Sequence, residues 1–159
     1  MSPVLNSNRK IYLLYFYHNI EWRMQIEYKI ENELSVDEFI GCLIDSTLGE
    51  RRPVDNRERI SKMLKNTNLI VTARDNGLLV GVSRSLTDFS YCTYLSDLAV
   101  RKNYQKLGIG KELIKRTKLE CGEAKIILLA APAAIEYYPK IGMTNHNHCY
   151  LLNDINELK

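Results

Sequence analysis

The segment that most constrains the fold is a strand-like stretch that leads through a glycine-containing loop into a helix and a second strand-like stretch. Tyr91–Val100 is predicted to be a strand, and a helix is predicted from about Ile109 to Cys121, with Gly122 as the residue that ends it. The continuous apolar run Lys125–Ala131 is typical of a strand that is buried on both faces. A strand, a helix and a strand in this order predict a right-handed parallel crossover.

Periodicity predicts further elements before this unit. Met24–Ile30 alternates apolar and polar side chains, which indicates a strand. Ser35 and Glu38 have the spacing of a capping box at the start of a first helix. Asp55 or Asn56 can cap a second helix, in which apolar residues recur on one face.

The remaining elements complete the predicted fold class. Asn68–Arg74 and Leu78–Leu86 read as antiparallel strands joined by an Asn-Gly turn. A helix is predicted from Pro132 to Gly142, and the last strand or hairpin lies within Met143–Leu152. The order is β-α-α-β-β-β-α-β-α-β. It predicts an α/β (α+β) domain with a mixed, mostly antiparallel central sheet flanked by helices.

Length, composition and charge narrow the class of protein. The chain has 159 residues and is 45% hydrophobic, which fits a single domain over residues 24–159, preceded by an N-terminal extension over residues 1–23. The formal net charge of +3 gives no argument for nucleic acid, and no apolar run is long enough for a membrane span. The cysteines are far apart, so we expect reduced thiols in a cytoplasmic protein and neither disulfides nor a metal site; they are Cys42, Cys92, Cys121 and Cys149.

The loop before the third predicted helix has the features of a phosphate-binding loop. Its glycines, Gly108 and Gly110, allow backbone N–H groups to approach a ligand, and the helix behind them contributes unsatisfied donors and the positive end of its dipole. Lys102, Lys106 and Lys111 add positive charge. The pattern fits neither a Walker A loop nor a dinucleotide fingerprint, because the required glycine and Ser/Thr positions hold other residues.

Two motifs resemble those of the GNAT superfamily of N-acetyltransferases. Gln105–Gly110 is similar to the acetyl-CoA signature Q/R-x-x-G-x-G/A, and the preceding strand ends in DLAV. Tyr137–Met143 resembles the family's F-Y-x-x-x-G-F, with Tyr137 and Met143 in place of its two phenylalanines. The resemblance covers the chain from about Met24 to Leu152 and includes the element order.

The resemblance implies a function and a set of site residues. The chain would transfer an acetyl group from acetyl-CoA, its co-substrate, to an amine of a small molecule or a protein, with no metal and no nucleic-acid or membrane partner; a homodimer is left open. Tyr138 would protonate the departing CoA thiolate as the catalytic acid. The pantetheine arm would pair with Leu98, Ala99 and Val100. The pyrophosphate would bind to Gln105, Lys106, Leu107, Gly108, Ile109, Gly110 and Lys111.

Several assignments have alternatives in the sequence. The general base could be Glu50, Asp88 or Asp97, although Asp97 also fits a role in bracing the end of its strand. Arg51 and Arg52 lie where this family shapes its acceptor site, and they could bind an acidic acceptor or face water. The rival function is a regulatory module that binds CoA or acyl-CoA without turnover.

Overall fold

The computed structural model describes residues 24–159, so the predicted N-terminal extension over residues 1–23 lies outside the described residues. The strands are β1 Ile26–Ile30, β2 Leu69–Asp75, β3 Leu78–Thr87, β4 Cys92–Val100 and β5 Lys125–Ile127. The α-helices are α1 Val36–Asp45, α2 Arg57–Lys65, α3 Ile109–Glu120 and α4 Tyr137–Lys140. Short 3₁₀ turns occupy Leu48–Arg51, Lys102–Tyr104, Pro132–Ala134 and Ile155–Glu157.

The strands form one sheet in the order in which they occur along the chain. Neighbouring strands from β1 to β4 pair antiparallel, whereas β4 and β5 pair parallel, with α3 between them in the sequence. The predicted fold class and the parallel crossover pairing are therefore confirmed. Among residues 24–159, no helix is long and apolar enough to cross a membrane.

Apolar side chains cover both faces of the sheet. On one face, α1 and α2 pack Phe39, Leu43 and Ile60 against strand residues that include Val82. On the other face, α3 packs Ile109 and Leu113 against β2 and β3. A Cβ atom at Gly81 would lie 3.1 Å from both Ile109 and Leu113, so the glycine lets α3 lie close to β3.

Two predicted turn and cap assignments are confirmed and one is wrong. The Asn56 side chain accepts a hydrogen bond from the Arg59 N–H at the start of α2, and Asn76 and Gly77 both have positive φ in the β2–β3 turn. Ser35 makes no side-chain cap to α1. Glu38 instead bonds to Arg74 on β2, with 2.7 Å between Oε1 and Nη1. Glu38 therefore forms an ion pair with β2 and does not form the predicted capping box with Ser35.

The prediction that Lys125–Ala131 is a strand buried on both faces is wrong. Only Lys125–Ile127 pairs with β4, and Ile127 and Leu129 are 50% and 45% exposed. Within the described residues β5 has no second neighbour, so it is an edge strand. The apolar composition indicated burial on both faces. A strand continues only where it has a neighbour to pair with, and β4 diverges from this segment after Ile127.

The elements after β5 also differ from prediction. The helix predicted from Pro132 to Gly142 is split into a 3₁₀ turn and the short α4. Pro139 has no N–H to donate to the carbonyl of Ile135, which prevents one continuous helix, although a proline is tolerated in the first turn of α4. The last strand or hairpin, predicted within Met143–Leu152, is absent from the described chain.

Local hydrogen bonds form where the last strand was predicted. The Asn145 side chain donates to the Asn147 side chain, and the His148 backbone N–H donates to the His146 ring. The second bond occupies a backbone group that a strand ladder would use.

Truncating the buried face of α1 should strongly destabilise the fold. Phe39 is fully buried, whereas Ile44 on the same helix is 58% exposed. We expect Phe39→Ala to lower the free energy of unfolding by about 3–5 kcal/mol because it leaves a cavity. Ile44→Ala should change it by less than about 0.5 kcal/mol. Urea unfolding of both variants measures this, and equal effects would contradict the packing of α1 on the sheet.

Candidate functional site

The site begins where β4 and β5 separate. Their parallel pairing includes Cys92 with Lys125 and ends at Tyr94 with Ile127. From Leu95 to Val100, β4 has a ladder partner on the β3 side only, among the residues that the structure describes. The backbone N–H and C=O groups along its other edge are therefore available to an extended ligand.

The loop after β4 is fixed at several points. The Arg101 N–H donates to the Val80 carbonyl at 2.8 Å, and its guanidinium donates to the Leu79 carbonyl and pairs with Asp45. The Tyr104 hydroxyl donates to Asp75 at 3.0 Å. These bonds hold the start of the loop against β2, β3 and α1.

The glycine loop leads directly into the N-terminus of α3. The Gln105 side chain donates to the Val100 carbonyl at 3.0 Å. Gly108 is the N-cap of α3 with φ +83°, a left-handed conformation that a side chain disfavours, and Lys106 has φ +64°. With glycine as N-cap, no side chain of that residue competes with a ligand for the first N–H groups of the helix.

The charge around this helix end suits an anion. Lys102, Lys106 and Lys111 are exposed and make no ion pair within residues 24–159. The acidic residue in the first turn, Glu112, pairs with Arg116 at 2.9 Å, so its charge is compensated. The partial positive charge of the helix N-terminus and the free ammonium groups then favour a negatively charged group.

The tyrosine pair of α4 lies against this helix end. The Tyr137 hydroxyl would be 3.2 Å from a Cβ atom built at Gly110, and a Val100 methyl group would be 3.8 Å from it. The Tyr137 and Tyr138 rings meet edge to face with their centroids 5.3 Å apart. The end of β4, the start of α3 and α4 therefore meet at one place.

Tyr138 is half-buried, and the backbone of α4 fixes its position. The Met143 N–H donates to the Tyr138 carbonyl at 3.0 Å, and Gly142 follows the helix with φ +95°. Burial raises the pKa of Tyr138, and the neighbouring Tyr137 adds to this shift. A phenol with a raised pKa stays protonated at neutral pH and can act as a proton donor.

The carboxylates differ in what they bind. Asp97 is fully buried and pairs with two guanidinium groups, those of Arg52 and Arg84. Asp88 accepts hydrogen bonds from the backbone N–H groups of residues 90–92, which hold its pKa at about 2. Glu50 is exposed, and its side chain has no hydrogen-bond or ion-pair partner in the described part of the chain. Of these three carboxylates, only that of Glu50 has no bonding partner within residues 24–159.

Three apolar side chains cross the sheet next to the separation of β4 and β5. Leu86 on β3 is opposite Tyr94 on β4, which is opposite Ile127 on β5. Directly paired residues share a face of a sheet. These residues are 42%, 39% and 50% exposed, respectively, so this part of the face is open. We call it the apolar row.

Comparison with known proteins identifies the family. The Acetyltransferase (GNAT) domain family matches residues 50–155, and the chain belongs to this family. The chain is 29% identical over 107 residues to an uncharacterized N-acetyltransferase, ycf52, of Pyropia yezoensis, an alignment that covers 63% of this chain and 60% of that protein. The chain thus spans about 60% of the length of that curated relative and 48% of a histone acetyltransferase of Glycine max.

Solved structures share the fold. An acetyltransferase of the GNAT family from Streptococcus pneumoniae TIGR4 superposes with a TM-score of 0.67 at 20% identity, over 81% of this chain and 98% of that chain. An aminoglycoside N-acetyltransferase, AAC(6')-Iy, in complex with CoA superposes with a TM-score of 0.64 at 12% identity, over 86% of this chain and 99% of that chain.

The structure brings most of the predicted site residues together. The free edge of Leu98–Val100 leads to the loop Gln105–Lys111, and Tyr138 contacts the ring of Tyr137, whose hydroxyl lies against Gly110. Arg51 is exposed at the end of its 3₁₀ turn, whereas Arg52 is paired with Asp97. Sequence reasoning missed Arg84 and Ser96, which complete the surroundings of Asp97. The sequence did contain a signal for this cluster: Arg84 is a charged residue inside a buried strand, and such a residue requires a partner.

The contact between Gly110 and Tyr137 gives a test of this geometry. Gly110→Ala adds a Cβ atom only 3.2 Å from the Tyr137 hydroxyl, which opposes the gain in helix propensity of about 1 kcal/mol. In the Tyr137→Phe background that contact disappears, since the next ring atom is 3.9 Å away.

We therefore expect the effect of Gly110→Ala on the free energy of unfolding to be more stabilising by at least about 0.5 kcal/mol in the Tyr137→Phe background than in the wild type. Thermal or urea unfolding of the four proteins in this double-mutant cycle measures the coupling. Additive effects would show that α4 does not contact the start of α3.

Proposed function

We propose that this protein transfers an acetyl group from acetyl-CoA to a primary amine by direct attack within a ternary complex. The observation that carries the proposal is the free edge of β4 from Leu95 to Val100, which leads to an anion-compatible helix end at Gly108. An elongated ligand with a peptide-like arm and a pyrophosphate matches this succession of a strand edge and a helix N-terminus.

The donor would bind through the backbone. Amide-containing pantetheine can form hydrogen bonds with the edge of Leu98–Val100, as an added strand would. The pyrophosphate would accept hydrogen bonds from N–H groups of the loop Gln105–Gly110 and the first turn of α3, with Lys106 and Lys111 supplying charge. The CoA complex of the aminoglycoside N-acetyltransferase with the same fold supports a CoA ligand here.

The chemistry requires one attack and two proton movements. The amine nitrogen attacks the thioester carbonyl carbon, so that a C–N bond forms and the C–S bond breaks. The departing thiolate takes the proton of the Tyr138 hydroxyl, and the attacking nitrogen gives up a proton to a base or to water. Burial raises the pKa of Tyr138, so its hydroxyl is protonated at neutral pH before the thiolate forms.

The acceptor would approach on the face of the sheet that carries the apolar row. Leu86, Tyr94 and Ile127 are open there, directly before the point where β4 leaves β5. Exposed Glu50, in the connection between α1 and α2, is the candidate base that remains free, and Arg51 follows it. The acceptor class stays broad: an amine of a small molecule or of a protein.

A binding module without turnover is the rival function. It would need the phosphate loop alone, without an acid at the far end of the ligand. The half-buried phenol of Tyr138, held beside the start of α3 by its contact with Tyr137, favours turnover over this rival.

Binding of CoA should stabilise the fold, because a ligand that binds only the native state raises its stability. At a concentration about a hundredfold above the dissociation constant, the gain in unfolding free energy is about 2.7 kcal/mol. Differential scanning fluorimetry with CoA measures it, and inorganic phosphate at the same concentration is the control for a general anion effect. No shift in Tm at millimolar CoA would contradict the donor site.

Tyr138→Phe should lower turnover by about 10²-fold, the scale of general acid catalysis, with little change in stability or CoA affinity. The loss should appear in kcat and in kcat/KM, as for a group that acts in the transition state. Release of free thiol from acetyl-CoA across a panel of amines provides the assay.

Tyr137→Phe is the matched control, since it removes a hydroxyl group from the neighbouring ring without removing a proposed proton donor. Full activity of Tyr138→Phe would remove this tyrosine from the mechanism. A loss confined to Tyr137→Phe would assign the acid to the neighbouring residue.

A further inference from the structure

A buried carboxylate lies on the part of β4 that no longer pairs with β5. Asp97 is 1% exposed and lies on β4, within the stretch that has left β5. Its two oxygens accept hydrogen bonds from Nε of Arg52 and Nε of Arg84. A buried charge of this kind is tolerated only when it is paired and hydrogen-bonded, so Asp97 depends on both partners.

The same two arginines bind the irregular residue of β4. The register between β3 and β4 shifts at Arg84, because Arg84 is opposite Asp97 while Ser85 is opposite Leu95; Ser96 is therefore the bulge residue. Nη2 of Arg84 donates to the Ser96 hydroxyl at 2.7 Å, and Nη2 of Arg52 donates to the Ser96 carbonyl at 2.8 Å. The bulge is thus held at its side chain and at its backbone.

Each arginine is also attached to the helical layer on this face. Nη1 of Arg84 donates to the Thr67 hydroxyl at 2.9 Å, just after α2. Nη1 of Arg52 donates to the Arg51 carbonyl at 2.9 Å. The two guanidinium groups therefore fix the bulge relative to the segments at both ends of α2.

These contacts leave Arg52 without a free face for an acceptor. Its three guanidinium nitrogens are engaged with Asp97, Arg51 and Ser96, and its side chain is 22% exposed. Arg51, next to it, is exposed and its side chain has no partner in residues 24–159. Of the two arginines that sequence assigned to the acceptor site, only Arg51 is available for it.

We propose that Arg52, Asp97 and Arg84 form a positioning cluster that sets the geometry of the Ser96 bulge, and through it the backbone groups that face the thioester carbonyl. A bulge turns backbone groups out of their regular ladder directions, so the orientation of the peptide units around Ser96 decides which groups point into the separation between β4 and β5. The inference rests on the proposed function, because it assigns the cluster a role in that reaction.

The conservative variant Arg52→Lys separates positioning from charge balance. Lysine keeps a positive charge beside Asp97, but a single ammonium group does not reproduce the fork that binds a carboxylate and the Ser96 carbonyl together. Arg59→Lys is the matched control, since it makes the same substitution at an exposed arginine of α2 whose side chain has no partner within residues 24–159. Folding of each variant is checked by circular dichroism and by CoA affinity, which depends on the distant phosphate loop.

The decisive measurement is the carbonyl stretch of bound acetyl-CoA that carries ¹³C in the thioester carbonyl, recorded by isotope-edited infrared spectroscopy. In the wild type and in Arg59→Lys we expect a lower wavenumber than for the thioester free in buffer, since backbone donors polarise the carbonyl. In Arg52→Lys the band should return toward the free value with CoA affinity unchanged. Turnover should fall between about 10- and 100-fold in kcat, the effect of a small misplacement of the reacting group.

The outcomes separate this inference from the proposed function. A wild-type protein that neither binds nor turns over acetyl-CoA would contradict the proposed function itself. A wild-type band shift that Arg52→Lys leaves untouched would overturn the positioning cluster while the function stands. A higher KM for the amine in Arg52→Lys, with an unchanged band and kcat, would also overturn it and return Arg52 to the acceptor site.

Discussion

The parallel pairing between β4 and β5 is short, and the rest of the structure is arranged around its end. The ladder stops at Tyr94 and Ile127, because β5 ends there and β4 continues to Val100. A strand that continues without its neighbour exposes backbone groups that need a partner. In this chain, those groups lead toward the glycine loop at the start of α3, so the end of the β4–β5 pairing leaves a free edge that runs to a helix N-terminus.

Different parts of the chain stabilise the two sides of this opening. On the α3 side, Ile109 and Leu113 pack on the sheet. On the α1 and α2 side, apolar packing is joined by the buried charge of Asp97 and its two arginines. A buried ion pair depends on its geometry. The side that would face the acceptor is thus the one that carries a buried ion-pair cluster.

Much of the fold could be predicted because its signals are local. The Asn76-Gly77 turn and the Asn56 cap depend on residues close in sequence, and strand alternation in β1 is equally local. The predictions that failed depend on contacts between residues that are distant in sequence. The apolar composition after Lys125 could not reveal that β4 diverges from this segment. The predicted capping box at Ser35 does not form, because Glu38 pairs with Arg74, which is distant in sequence. The loop Gln105–Gly110 and the motifs on either side of it could be read from the sequence, whereas the surroundings of Asp97 involve residues from three separate segments.

The open edge of β5 has a consequence for the behaviour of the protein at high concentration. An unpaired strand edge can act as a template on which other chains add. Here the template is only three residues long, begins with the exposed charge of Lys125, and is followed by Pro132, which cannot donate to a ladder. The brevity that leaves the edge of β4 free therefore also makes β5 itself a poor template for added chains, despite the exposed Ile127 and Leu129.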